Sequence, residues 1–285
     1  MAGDPPFRGV GVALVTLFGE DGSLDAPATA ALAARLVEAG VRALVVAGST
    51  GEAMTLGDDE RTELIDAVRR AVPLGAGVPI VAGTGAPSAH QAASLTRQAA
   101  DAGADAVLVL SPPKSADLDG YYGAVRRAAG DLPVLGYHFP AMSAPGIGLD
   151  RLASLPIDGC KDSSGDATRM LLTLDAFDRP LYTGCSALLA LAGPLGCAGA
   201  ILALANAEPE RCAAAFAGDI DAQRGLAEAE RRSAERFPAG IKQLTAERFA
   251  TPTTCRLGNS RCKVRIAIAS ASQSKVGMIT PPLAI

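Results

Sequence analysis

Short apolar runs rich in Val, Ile, Leu and Ala recur at residues 10–15, 42–47, 78–82, 106–110, 133–136, 157–160, 181–183 and 199–204. Their starts lie about 27 residues apart on average, close to the roughly 30 residues of a strand, a crossover and the next strand. The runs are continuous, not alternating, so each strand is expected to be covered on both faces, as in a parallel sheet sheltered by helices. Between the runs the period becomes helical. Asp25 precedes Ala26 and Pro27 in a first turn, Leu32, Leu36 and Val37 share a face, and Gly40 ends the helix. Ser88 and Gln91 form a capping box ahead of Ala92, Leu95 and Ala99, and Gly103 closes that segment. Eight such units predict an α/β fold, a (β/α)8 TIM barrel, over residues 1–206. An open doubly wound sheet is the alternative, but it wants a Gly-x-Gly-x-x-Gly turn after an early strand, where Thr16-Leu17-Phe18-Gly19 stands instead. Residues 207–258 read as a C-terminal helical extension, helical throughout 207–250, with Asp219 as a cap and a charged face from Glu228 to Arg236. Residues 259–285 carry no helical stripe and are left as a tail of uncertain structure and no assigned function.

Composition narrows the partners. With 49% hydrophobic residues, the 285-residue chain can bury the core of one large domain. A net charge of -4 with no basic run, and few aromatics, supplies no footprint for nucleic acid. No segment reaches the roughly 18 to 20 apolar residues of a membrane span, and the first residues lack the order of a signal peptide, so a cytoplasmic protein is expected. Six cysteines without a Cys-x-x-Cys pair predict reduced thiols, and two histidines, His90 and His138, predict no metal site.

In a barrel, the residues that follow each strand line one mouth, so candidate chemistry is sought there. After the second run stands Gly48-Ser49-Thr50-Gly51-Glu52, whose hydroxyls and backbone N–H groups suit a carboxylate, although such a turn also serves to start a helix. After the fifth run comes Gly136-Tyr137-His138-Phe139-Pro140, which offers a phenol able to relay protons or a plain structural tyrosine. His138, its strand neighbour, is expected to face away. The sixth run ends in Gly159-Cys160-Lys161-Asp162-Ser163-Ser164-Gly165. A lysine there either reaches solvent or pairs with Asp162, or else burial lowers its pKa, and the neutral amine so gained attacks carbonyls.

These three motifs, in this order and spacing, resemble the dihydrodipicolinate synthase/N-acetylneuraminate lyase family of Schiff-base aldolases. The likeness runs from about Gly9 to about Leu257 and takes in Gly83-Thr84-Gly85, Thr183-Gly184 and Gly199–Asn206. Lys161-Asp162-Ser163-Ser164-Gly165-Asp166 and Leu202-Ala203-Leu204-Ala205-Asn206 look most like its 4-hydroxy-2-oxoglutarate aldolase branch. The resemblance implies that Lys161 forms an imine with pyruvate or a larger 2-oxo acid, with no metal and no cofactor beyond that covalent Schiff base. It implies that Tyr137 shuttles protons with Thr50 as its hydrogen-bond neighbour, that Ser49 and Thr50 bind the carboxylate, that Ile201 packs against the methyl end, and that Gly184 leaves room at the mouth. A homo-oligomer, dimer or tetramer, is implied as well.

Two departures bear on specificity. Ser111-Pro112-Pro113-Lys114 replaces the Pro-Tyr-Tyr that often follows the fourth strand in the family. Met142 stands where the synthases carry an arginine for a second carboxylate, and a thioether lacks that fork. The leading expectation is therefore an aldolase acting on a 2-oxo acid, such as 4-hydroxy-2-oxoglutarate or a 2-keto-3-deoxy sugar acid. The synthase of the same family and a non-catalytic keto-acid sensor are the alternatives.

Overall fold

Each predicted apolar run becomes a strand. A computed structural model describes residues 4–114 and 117–257, and its strands are β1 (Gly9–Ala13), β2 (Leu44–Val46), β3 (Ile80–Gly83), β4 (Ala106–Leu110), β5 (Val134–His138), β6 (Gly159–Asp162), β7 (Leu181–Thr183) and β8 (Gly199–Leu202). They pair in parallel in chain order and close into a barrel, β8 against β1 through Gly9–Gly199 to Val12–Leu202. The fold is a TIM barrel with C-terminal helices. The predicted starts and stops hold: Asp25 accepts from Ala28 N at 2.9 Å to cap the start of the helix Ala26–Glu38, Ser88 accepts from Gln91 N at 3.2 Å to cap the start of Ala89–Asp101, and Gly40 and Gly103 take positive φ past their ends.

Strand geometry explains why the runs are apolar on both faces. Alternate residues feed two separate cores: Val134 and Cys160 join the layer between strands and helices, whereas Leu135 and Tyr137 point into the barrel with Val45, Leu108 and Ile201. Tyr182 fills the barrel at its N-terminal end, stacked 4.6 Å from Phe7 and donating to the Phe7 carbonyl at 2.9 Å. The inward groups near the strands' C-terminal ends are therefore the ones considered for the site.

The stretch 207–250, expected to be helical throughout, is instead broken into Pro209–Phe216, Ile220–Gly225, Ala227–Glu235 and Ala239–Phe249. Gly218, at φ +102°, turns the chain, Asp219 caps the second piece through Ala222 N, and Pro238 precedes the last. The charged face near Arg231 is laced to Glu228 and Glu235. The tail 259–285 lies outside the described residues. Among the described residues, no helix is long and apolar enough to cross a membrane.

Candidate active site

Lys161 is the third residue of β6 and points inward, beside Tyr137 on β5 in the register of the sheet. It is 5% exposed, and burial alone brings its ammonium from 10.5 to about 7. Among the described residues no salt bridge engages it; its Nζ lies 4.2 Å from the centroid of the Tyr137 ring. The alternative of a lysine paired with Asp162 fails, because Asp162 faces the outer layer. There it accepts from Arg169 Nε at 2.7 Å and from Ser164 N at 2.7 Å. Arg169 thereby takes up the carboxylate next to Lys161 in sequence, and no salt bridge among the described residues compensates the amine.

Tyr137 is buried, and loss of water pushes its phenol up to about 12. Its hydroxyl accepts from Ser163 Oγ at 3.3 Å and is hydrogen-bonded to Ser49, where the sequence reading places Thr50. Thr50 is buried on the same loop, beside Ser49. His138 turns away as expected, its Nδ1 accepting from Ile147 N at 2.9 Å, and burial lowers its pKa. Ser163 is absent from the candidates drawn from sequence, although strand alternation predicts it: two residues beyond an inward lysine on β6, it lies on the same side.

The Ser49–Thr50 loop is bound tightly. Gly51 N donates to Gly48 O, Ala53 N donates to Gly48 O, and Thr16 Oγ1 donates to Gly51 O at 2.8 Å. Ile201 stands in the inner core on β8, 1% exposed. After β4, Ser111 N donates to the Tyr137 carbonyl, Ser143 Oγ donates to the Ser111 carbonyl, and Lys114 takes φ +57°. Tyr121 and Tyr122 spend their hydroxyls on backbone carbonyls, at Ala86 and Val109. Met142 is 38% exposed in the loop after β5.

Gly184 follows β7, and a Cβ there would lie 1.8 Å from Ser163 Oγ and 2.9 Å from Lys161 Cε. Gly184→Ala is therefore expected to displace the amine. Reductive trapping of Lys161 by pyruvate and borohydride should slow about 100-fold, in line with the loss caused by a misplacement near 1 Å. A trapping rate within twofold of wild type would show that this close approach does not matter.

A lysine whose ammonium gives up its proton near pH 7, beside a phenol and two hydroxyls at the mouth of a parallel barrel, is equipped for imine chemistry. The sequence model of the "Dihydrodipicolinate synthetase family" matches residues 6–258. This chain belongs to that family. Its members are Schiff-base lyases that take pyruvate and need no metal cofactor. A 4-hydroxy-tetrahydrodipicolinate synthase of Haloarcula marismortui is 36% identical over 235 residues, covering 77% of this chain and 76% of that protein. An uncharacterized DapA-like lyase of Halobacterium salinarum is 36% identical over 253 residues, 85% of this chain and 82% of the relative. Among solved structures, the dihydrodipicolinate synthase of Acinetobacter baumannii complexed with pyruvate superimposes with a TM-score of 0.81 at 30% identity, covering 91% of this chain and 94% of the other.

Proposed function

We propose that this chain is a class I aldolase that makes or breaks the C–C bond beside the carbonyl of a pyruvate-type 2-oxo acid. Its substrates on this reading are 4-hydroxy-2-oxoglutarate or a 2-keto-3-deoxy sugar acid. The observation that carries the reading is the buried Lys161 amine, free of any ion pair among the described residues and facing Tyr137 at 4.2 Å.

The neutral amine adds to the keto carbon, and the carbinolamine oxygen leaves as water after receiving a proton passed on by Tyr137. In cleavage, the 4-hydroxyl gives its proton to the group formed by Tyr137, Ser163 and Ser49. The C3–C4 electron pair moves into the iminium to form an enamine, and the aldehyde departs. Protonation at C3 and addition of water then release pyruvate and restore the amine. The water lost in imine formation is regained in hydrolysis. Ser49 and Thr50 hold the carboxylate, Ile201 lies against the methyl end, and Gly184 leaves the space above Lys161 open.

Borohydride with pyruvate, followed by peptide mapping, is expected to place a stable adduct on Lys161; an unmodified Lys161 at saturating pyruvate refutes the reading. A panel of 4-hydroxy-2-oxo acids, with released pyruvate followed by lactate dehydrogenase, then separates a lyase from a keto-acid sensor that is trapped without turnover. The names of the relatives favour a second reading, condensation of pyruvate with an aldehyde that carries a second carboxylate. Met142 offers that carboxylate no hydrogen-bonding fork, so cleavage of the hydroxy-oxo acids is expected to be the faster reaction. A homo-oligomer, dimer or tetramer, is expected in light scattering.

A further inference from the structure

Glu52 ends the carboxylate-binding loop, and its backbone is left-handed at φ +56°, an unusual state for a residue with a side chain. Its side chain is 0% exposed, as is that of Lys242, 190 positions later in the last helix of the extension. Lys242 Nζ donates to Glu52 Oε1 at 2.5 Å and to the Thr254 carbonyl at 2.7 Å, and lies 4.4 Å over the Phe18 ring. The second carboxylate oxygen of Glu52 accepts from Leu257 N at 2.8 Å. Both charges are thus fully enclosed and their main hydrogen-bonding directions are used.

A buried ion pair is a poor way to add stability compared with apolar packing of the same volume, but it fixes geometry, because either charge left alone is strongly disfavoured. The geometry fixed here is that of the loop. Glu52 N donates to the Ser49 carbonyl at 3.3 Å, so the residue held by Lys242 is bonded directly to the peptide that carries the carboxylate-binding hydroxyls. The segment that closes over the pair is itself clamped. Arg256 donates to Glu60 Oε1 and Oε2 at 2.6 and 2.7 Å, to the Gly22 carbonyl at 2.7 Å and to the Thr55 carbonyl at 3.0 Å, and stacks on Phe18.

We infer that Lys242 is a positioning residue: through Glu52 it sets the Ser49–Thr50 loop for the substrate carboxylate, which makes the helical extension part of the site. The inference rests on the reading of Lys161 as the imine-forming lysine, and the test keeps the two apart. Borohydride trapping is followed across a range of pyruvate concentrations, and separately with acetone, a ketone without a carboxylate. Lys242→Met is expected to raise the half-saturating pyruvate about tenfold, as when one charge-assisted hydrogen bond is misaligned, and to leave the acetone rate within about twofold. Arg256→Ala loosens the same segment without stranding a buried charge, and should shift pyruvate in the same direction by about threefold. If Lys242→Met does not fold, Arg256→Ala decides. An unchanged half-saturation for pyruvate, or an equal loss with pyruvate and acetone, overturns the positioning role. A wild-type protein that pyruvate does not modify at Lys161 removes the parent reading, and this inference with it.

Discussion

A Lys161→Met variant is expected to melt higher than the unaltered protein while losing every trace of reductive trapping. The two effects share one cause. In the unfolded chain the amine holds its proton up to about 10.5, whereas in the fold, with 5% exposure, it holds it only up to about 7. Between those values the unfolded state binds more protons, so this group's contribution to stability rises with pH from about 7 to about 10.5 and is fully unfavourable below 7. At pH 7 the native state therefore carries a penalty on the order of 4 kcal/mol. Methionine fills a similar volume and carries no charge, so removing the penalty should raise the melting temperature by roughly 10 °C for a barrel of this size. In the proposed reaction the same depressed value supplies the nucleophile. Trapping at low pyruvate should climb about tenfold per unit from pH 5, bend near 7 and level off above 8. A climb continuing unbent to pH 10, or a variant that melts lower, would falsify the picture of a desolvated nucleophile.

How much of this could be read in the sequence depends on the range over which each feature is specified. The eight strands and the early helix starts and stops were legible because all are local: a continuous apolar run demands cover on both faces, and Asp25, Gly40, Ser88 and Gly103 act on their own turns. Lys161, Tyr137 and the 48–52 loop were legible because a barrel brings strand ends together whatever their separation. Three features were not. The exchange of Thr50 for Ser49 and Ser163 around the phenol depends on side-chain directions at one point of the mouth, which motif spacing does not record. The pairing of Asp162 with Arg169, which leaves Lys161 alone, joins a strand residue to a helix seven positions on, and any of several arginines fits the sequence equally well. The Lys242–Glu52 pair spans 190 positions, and composition gives no reason to link two charges that distant. The breaks in the extension show the opposite weighting: a helical composition over 207–250 concealed the local stops at Gly218 and Pro238.

Tyr137→Phe is expected to lower kcat for 2-oxo acid cleavage by about 10²- to 10⁴-fold while changing the half-saturation for pyruvate less than threefold, the signature of lost general acid–base catalysis. With its pKa at about 12, the phenol is protonated at neutral pH, so it acts by donating a proton that is replaced in the same step. Ser163 and Ser49 are the neighbours able to supply that replacement. The hydroxyls are thus expected to take up the relay that Pro112-Pro113 in the loop after β4 offers no side chain to perform. Ser163→Ala then becomes the discriminating companion. If the relay passes through it, kcat falls about tenfold, and the Ser163→Ala/Tyr137→Phe double variant is no slower than Tyr137→Phe alone, because groups acting as one unit are not additive. If the two losses multiply, the hydroxyls act separately and Ser163 serves the substrate instead of the phenol. Carboxylate binding gives the control, since Phe in place of Tyr137 retains the stacking on Phe139, 5.7 Å away, and leaves Ser49 and Thr50 on their loop.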